Sequence, residues 1–206
     1  MTRKLHVPDD AVVLLGGSTW PGEEAALCEL YETLRAKHAN LFMIITPRHV
    51  ERRDEVMACF AEKNLSYVRR SRIDDFNETT APDLLFVDTT GELRNFYSVA
   101  DIIFVGKSLT EHGGQNPIEP AMCGKAVVVG PNMENFPAIM PTFLNADAIR
   151  QVADAESLAA EVERLVANAD ERTALGERAA KVVAGNRGVI ERTVALLDAE
   201  WVDAPS

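Results

Sequence analysis

The chain has 206 residues, 47% of them hydrophobic, and a formal net charge of −11 at pH 7. That length fits one or two domains with a sizeable buried core, and the negative balance argues against a general nucleic-acid binder, which presents a basic surface. The three cysteines, Cys28, Cys59 and Cys123, form no CxxC and are odd in number, so they read as free buried thiols in a reducing compartment rather than a disulfide framework or zinc site.

Ala11–Leu15 is a short apolar run stopped by Gly16-Gly17-Ser18-Thr19, which reads as a buried parallel strand. Pro21 suits a first helical turn, and Glu23 and Glu24 suit the positive end of the helix dipole. Leu27, Leu30, Tyr31 and Leu34 recur at helical spacing, predicting a helix from about Gly22 to His38. Leu41–Ile45 is a second strand with Thr46-Pro47-Arg48-His49 as its exit loop, followed by a helix over Val50–Lys63. Leu65–Arg70 is a weaker third strand, and the polar stretch Asp74–Pro82 reads as loop. Leu84–Val87 is a fourth strand, and Asp88–Glu92 leads to a short helix ending near Ala100. Ile102–Val105 is a fifth strand and Ala126–Val129 a sixth, with Gly130–Phe136 as its exit loop.

The repeated strand–helix pattern with short connections predicts an α/β fold: a doubly wound parallel sheet of about six strands. Residues 1–10 are an N-terminal segment, and 11–206 form one unit. Beyond Arg150 the chain is rich in Ala, Glu and Arg and reads as two or three packing helices over 155–201, broken at Gly176, Gly185 and Gly188. Leu158, Val162, Leu165 and Val166 form their apolar stripe. No apolar run approaches the roughly 20 residues that cross a bilayer.

The loop after the fifth strand, Gly106–Asn116, is glycine-rich and opens a helix at Pro117. Gly113, Gly114, Gln115 and Asn116 there would place backbone N–H groups and a helix end around a phosphate. Lys107 and Ser108 would reach a phosphate or a carboxylate. Arg48 suits a bidentate contact to either, and His49 would hydrogen-bond a nucleotide. Ser18 and Thr19 leave the first strand toward the same edge, or make an ST-turn that opens a helix. Glu119 has two readings: with Asn116 it spaces as a capping box, and its carboxylate would also accept both hydroxyls of a ribose. Thr89 with Glu92 is a second possible capping box. Every one of these loops leaves the carboxyl end of a predicted strand, where ligands of such sheets bind.

The ordered set Gly17-Ser18-Thr19, Gly22-Glu23-Glu24, Pro47-Arg48-His49, Asp88–Leu93 with Tyr97, Ala100-Asp101, Phe104–Gly106 with Ser108-Leu109, Gly113–Asn116, Glu119-Pro120-Ala121, Gly130-Pro131 and Asn135-Phe136 resembles the donor-binding C-terminal domain of the Kdo (3-deoxy-D-manno-octulosonic acid) transferases. These are inverting GT-B glycosyltransferases of lipopolysaccharide assembly. The resemblance implies a Rossmann-like half of a GT-B enzyme that binds CMP-Kdo without a metal, in keeping with the lack of an Asp-x-Asp motif. It assigns the nucleotide-sugar to Ser18, Thr19, Arg48, His49, Thr90, Gly91, Glu92, Leu93, Lys107, Ser108, Gly113–Asn116, Glu119 and Asn135. Thr90–Leu93 would frame the cytosine, Glu119 would take the ribose and Asn135 would face the sugar. Lys107 stands where many members carry a glycine. The lipid A precursor, the general base and the membrane anchor belong, by the same resemblance, to an N-terminal domain for which residues 1–10 are too short. The expectation is a cytoplasmic domain, acting at the inner face of the inner membrane, that binds donor and does not transfer it alone. Three alternatives remain: a GT-B donor domain for a UDP- or GDP-sugar, a nucleotide-sugar epimerase, or a fragment that binds no nucleotide.

Overall fold

The computed structural model describes residues 2–202, with side-chain detail for 3–185. Its strands are β1 (Val12–Thr19), β2 (Leu41–Pro47), β3 (Tyr67–Arg69), β4 (Leu84–Phe86), β5 (Ile102–Val105), β6 (Ala126–Val129) and β7 (Arg150–Gln151). The helices are α1 (Glu23–Arg35), α2 (Arg53–Glu62), α3 (Leu93–Val99), α4 (Ile118–Met122), α5 (Met140–Asn145), α6 (Ala155–Ala167) and α7 (Ala169–Val202). All seven strands lie in one parallel sheet, in the order β3-β4-β2-β1-β5-β6-β7.

Period-two alternation along each strand builds two cores. Val12, Leu14, Met43, Ile45, Ile102, Phe104, Ala126 and Val128 face one layer, with Leu27 and Leu34 of α1, Phe60 of α2 and Val162 of α6. Val13, Leu15, Phe42, Ile44, Ile103, Val105, Val127 and Val129 face the other, with Phe96 of α3, Phe143 of α5 and Val183 of α7. The strand residues are buried on both faces, which is why they read as unbroken apolar runs. Each such side chain contributes about 1.5–3 kcal/mol relative to exposure. Leu5 and Val7 belong to the second core, so the segment around them is packed on the domain.

The structure departs from the sequence reading in several places. β1 runs on through the glycines to Thr19, because Gly16 and Gly17 pair with Ile45 and Thr46 and complete the ladder. β7 is a seventh strand of two residues, too short to give a periodic signal, pairing Arg150 with Val128 and Gln151 with Val129. The first turn after β2, Val50–Arg52, is a 3-10 turn rather than α-helix. Gly176, Gly185 and Gly188 do not break the last helix: α7 runs continuously from Ala169 to Val202. At Gly176 the reason is close approach. A β-carbon there would lie 2.0 Å from the carbonyl oxygen of Gly124, in the turn between α4 and β6. Of the thiols, Cys28 is buried, Cys59 is half-buried and Cys123 is exposed, so the expectation of buried thiols fails at Cys123, which caps the short α4.

Candidate functional site

The sheet changes winding direction at β1. Strand β2 lies on one side of it and β5 on the other, so the loops leaving β1 and β5 stand at a topological switch point, the edge where ligands of such sheets bind. Two features hold these loops together. At Gly106 the chain passes so close to β1 that a β-carbon would sit 2.2 Å from the carbonyl oxygen of Ser18. The second is Glu23, with no solvent exposure. Its Oε2 accepts the backbone N–H groups of Trp20 (2.8 Å) and Lys107 (2.9 Å), and its Oε1 accepts those of Ser108 and Leu109 (3.0 Å each). Burial pushes the Glu23 carboxyl up from its usual range, against the lowering pull of those four N–H groups.

Glu24 is buried as well, at 1% exposure. It accepts the Thr19 hydroxyl at 2.8 Å and the Arg52 guanidinium at 2.9 and 3.1 Å. Nothing in the sequence marks these two glutamates as interior residues. Acidic side chains in a first helical turn ordinarily lie in solvent, and what calls them inward is the amide cluster and Arg52, both distant in sequence.

A cavity of about 270 Å³ opens at this edge, lined by Ser18, Thr46, Pro47, Arg48, Val50, Thr89, Thr90, Gly91, Leu93, Arg94 and Glu119. It draws on the exits of β1, β2 and β4 and on α3 and α4. The Arg48 guanidinium there has no ion-pair partner among the described residues. The Thr46 hydroxyl is buried against the cavity, also without a hydrogen-bond partner among the described residues. Glu119 takes the Arg94 guanidinium in a fork, at 2.7 and 3.2 Å, and that hydrogen bond holds its carboxyl below the usual range. A free cation, an oriented carboxylate, hydroxyls and the Thr90–Gly91 backbone in one crevice suit a polar, anionic ligand.

Of the residues singled out in the sequence, Ser18, Arg48, Thr90, Gly91, Leu93 and Glu119 line this cavity. The others are placed differently. Thr19 does not point into the cleft, since its hydroxyl is buried on Glu24. Ser108 is fully buried, donating to the Val105 carbonyl and accepting the Gly130 N–H at 2.8 Å. The glycine-loop amides are committed within the protein: Gly113 donates to Glu134 (2.7 Å), Gly114 to the Lys107 carbonyl (2.9 Å) and Gln115 to the Gly106 carbonyl (3.0 Å). They form no open phosphate cradle in this structure, because Glu134 takes one and the loop folds back on the other two. Asn116 accepts the Ile118 N–H at 2.9 Å, and Glu119 turns to Arg94, so the Asn116–Glu119 capping box does not form. Glu92 makes no backbone cap either. It bonds Thr89 and, at 2.8 Å, Arg70, in a neighbouring groove. Asn135 donates its N–H to the Gly113 carbonyl at 3.1 Å. His49 meets the edge of Trp20, and the Lys107 ammonium lies over the same ring.

The model of the glycosyl transferases group 1 family matches residues 80–182, half of the chain. The chain belongs to the group 1 glycosyl transferases. Among curated relatives of this glycosyl transferase chain is the 3-deoxy-D-manno-octulosonic acid transferase of Haemophilus influenzae, 33% identical over 91% of this chain and 44% of that protein. Its counterpart in Bordetella pertussis is 33% identical over 92% of this chain and 45% of that protein. This chain therefore spans less than half the length of either. Among solved structures, the C-terminal CMP-Kdo binding domain of WaaA from Acinetobacter baumannii superposes with a TM-score of 0.80 at 29% identity, covering 88% of this chain and 93% of that one. The group 1 transferase fold here is thus the GT-B-like, Rossmann-like sheet that the resemblance implied.

Proposed function

We propose that this chain is the donor-binding half of an inverting Kdo transferase and that its cavity takes CMP-Kdo. The observation that carries the reading is the likeness to the Acinetobacter CMP-Kdo binding domain, which extends over nearly the whole of both chains. In this reading Arg48 meets the phosphate, and Glu119, held by Arg94, accepts the ribose hydroxyls. The backbone of Thr90–Gly91 with Leu93 frames the cytosine, and Ser18 and Thr46 supply hydroxyls to the remaining polar groups.

The full reaction is attack of an acceptor hydroxyl on the anomeric carbon of Kdo. The bond to the phosphate oxygen breaks and CMP leaves with its electron pair. Negative charge grows on that phosphate, and a positioned guanidinium is the group to stabilise it, so we propose that no metal is required. The acceptor, a lipid A precursor, and the base that deprotonates its hydroxyl are assigned to the other half of the enzyme, at the cytoplasmic face of the inner membrane. No helix among the described residues is long and apolar enough to cross a membrane.

Calorimetric titration of CMP, UMP and GMP tests the reading, on the wild type and on Glu119→Ala, with circular dichroism on both. Selective CMP binding that weakens roughly 10- to 100-fold in a folded Glu119→Ala supports it. Equal binding of UMP or GMP moves the donor to another nucleotide, and no nucleotide binding by the wild type refutes the reading.

A further inference from the structure

Lys107 is a cation that the fold places with care and that the nucleotide cavity does not use. It stands at φ 58°, in the left-handed region that a residue with a β-carbon rarely adopts. The Glu23 carboxylate holds it there: the same oxygen accepts the Lys107 and Trp20 amides, at 2.9 and 2.8 Å, and so sets the two residues side by side. The ammonium then lies 4.7 Å from the centre of the Trp20 ring, and His49 braces the indole edge-on at 5.4 Å. The indole N–H is buried without a partner among the described residues, and it is the ring's face that meets the ammonium.

Lys107 has no carboxylate partner among the described residues, in a chain whose net charge is −11. An aromatic face attracts an ammonium without tying up its N–H donors as a carboxylate would. The pair also stands at a telling place. Trp20 is two residues beyond Ser18, and His49 is next to Arg48, and both Ser18 and Arg48 line the cavity. A cavity of about 270 Å³ is small for a ligand site: it suits a nucleoside and its phosphate, which leaves the sugar of a donor to be met by groups outside it.

We propose that Lys107, perched on Trp20, is a specificity-determining residue that pairs with the carboxylate of the donor's acidic sugar. The proposal rests on the CMP-Kdo reading above. Trp20 and Glu23 are its positioning residues.

The test is titration of CMP and of CMP-Kdo into the full chain and into Lys107→Met, Lys107→Arg and Trp20→Leu, with thermal melts on each. Wild type should bind CMP-Kdo more tightly than CMP. Lys107→Met should lose roughly 10- to 100-fold for CMP-Kdo and less than about twofold for CMP, while Lys107→Arg recovers most of the loss. Trp20→Leu should lose part of the CMP-Kdo affinity and little of the CMP affinity. Equal losses for both ligands in a folded Lys107→Met would make this a phosphate contact and overturn the proposal while leaving the donor-domain reading intact. No loss, or a wild type that gains nothing from the sugar, also overturns it. If the wild type binds neither ligand, both readings fall.

Discussion

The Oε1 atom of Glu23 accepts the amide of Ser108 at 3.0 Å, joining residues 85 positions apart. That contact, with the three other amides on the same carboxylate, ties the exit of β1 to the exit of β5. Glu23→Ala would leave four donors without their acceptor inside the protein. A loss of about 3–5 kcal/mol is expected from urea unfolding, because each stranded buried donor costs about 1–3 kcal/mol and the loop can relax only in part. Glu23→Gln, which keeps one acceptor oxygen, should lose less. A Glu23→Ala as stable as wild type would mean that the loops are held by packing alone.

Two glycines of α7 should respond oppositely to alanine. At Gly176 the new β-carbon would lie 2.0 Å from the Gly124 carbonyl oxygen, a backbone atom with little freedom to retreat. Gly176→Ala is expected to destabilise by about 1–3 kcal/mol despite its better helix propensity. At Gly185 no atom lies within 4 Å of the new carbon, so Gly185→Ala should stabilise by about 0.5–1 kcal/mol. Denaturant midpoints with unchanged slopes would establish both signs.

Arg94 holds the Glu119 carboxyl below its ordinary range through a side-chain hydrogen bond. In Arg94→Ala the Glu119 carboxyl should titrate higher than in wild type, toward the ordinary 4.5, as followed by carboxyl carbon NMR. Arg94 is well exposed, with a side-chain exposure of 78%, so the pair itself adds little to stability. The functional readout is discrimination of CMP from 2′-deoxy-CMP. If Arg94 orients Glu119 toward the ribose, that ratio should fall several-fold in Arg94→Ala. An unchanged ratio would separate Arg94 from ribose recognition.

Glu134 bonds His112 at 3.0 Å and the Gly113 amide at 2.7 Å. His112 first, and then the backbone amides, hold its carboxyl down at about 2. For a carboxyl depressed in the folded state, the stabilising contribution is complete above the ordinary value of 4.5 and is lost as the pH falls toward about 2. The Gly113 amide should therefore lose its partner and shift only below about pH 4. An amide titration centred near 4.5 would contradict the contact.

Much of this protein was legible in the sequence because local rules and burial agreed there. Runs such as Leu41–Ile45 and Ile102–Val105 are apolar on both faces, which a parallel sheet covered by helices requires. The spacing of Leu27, Leu30, Tyr31 and Leu34 marked a helix whose buried face is the one observed. Ser18, Arg48 and Thr90, at carboxyl ends of parallel strands, and Glu119, on the helix that the loop after β5 opens, could be expected to converge. What only the tertiary structure decided is how the polar groups there are shared. The Gly113 amide is taken by Glu134, 21 residues on, while those of Gly114 and Gln115 fold back on the Lys107 and Gly106 carbonyls of their own loop. Glu23 and Glu24 are interior because three distant amides and Arg52 meet them. Gly176 stays inside a helix because Gly124 needs its space. Periodicity records which side of an element is buried. Hydrogen-bond partners and close backbone approaches between distant segments leave no periodic mark, so they emerge only when the chain is folded.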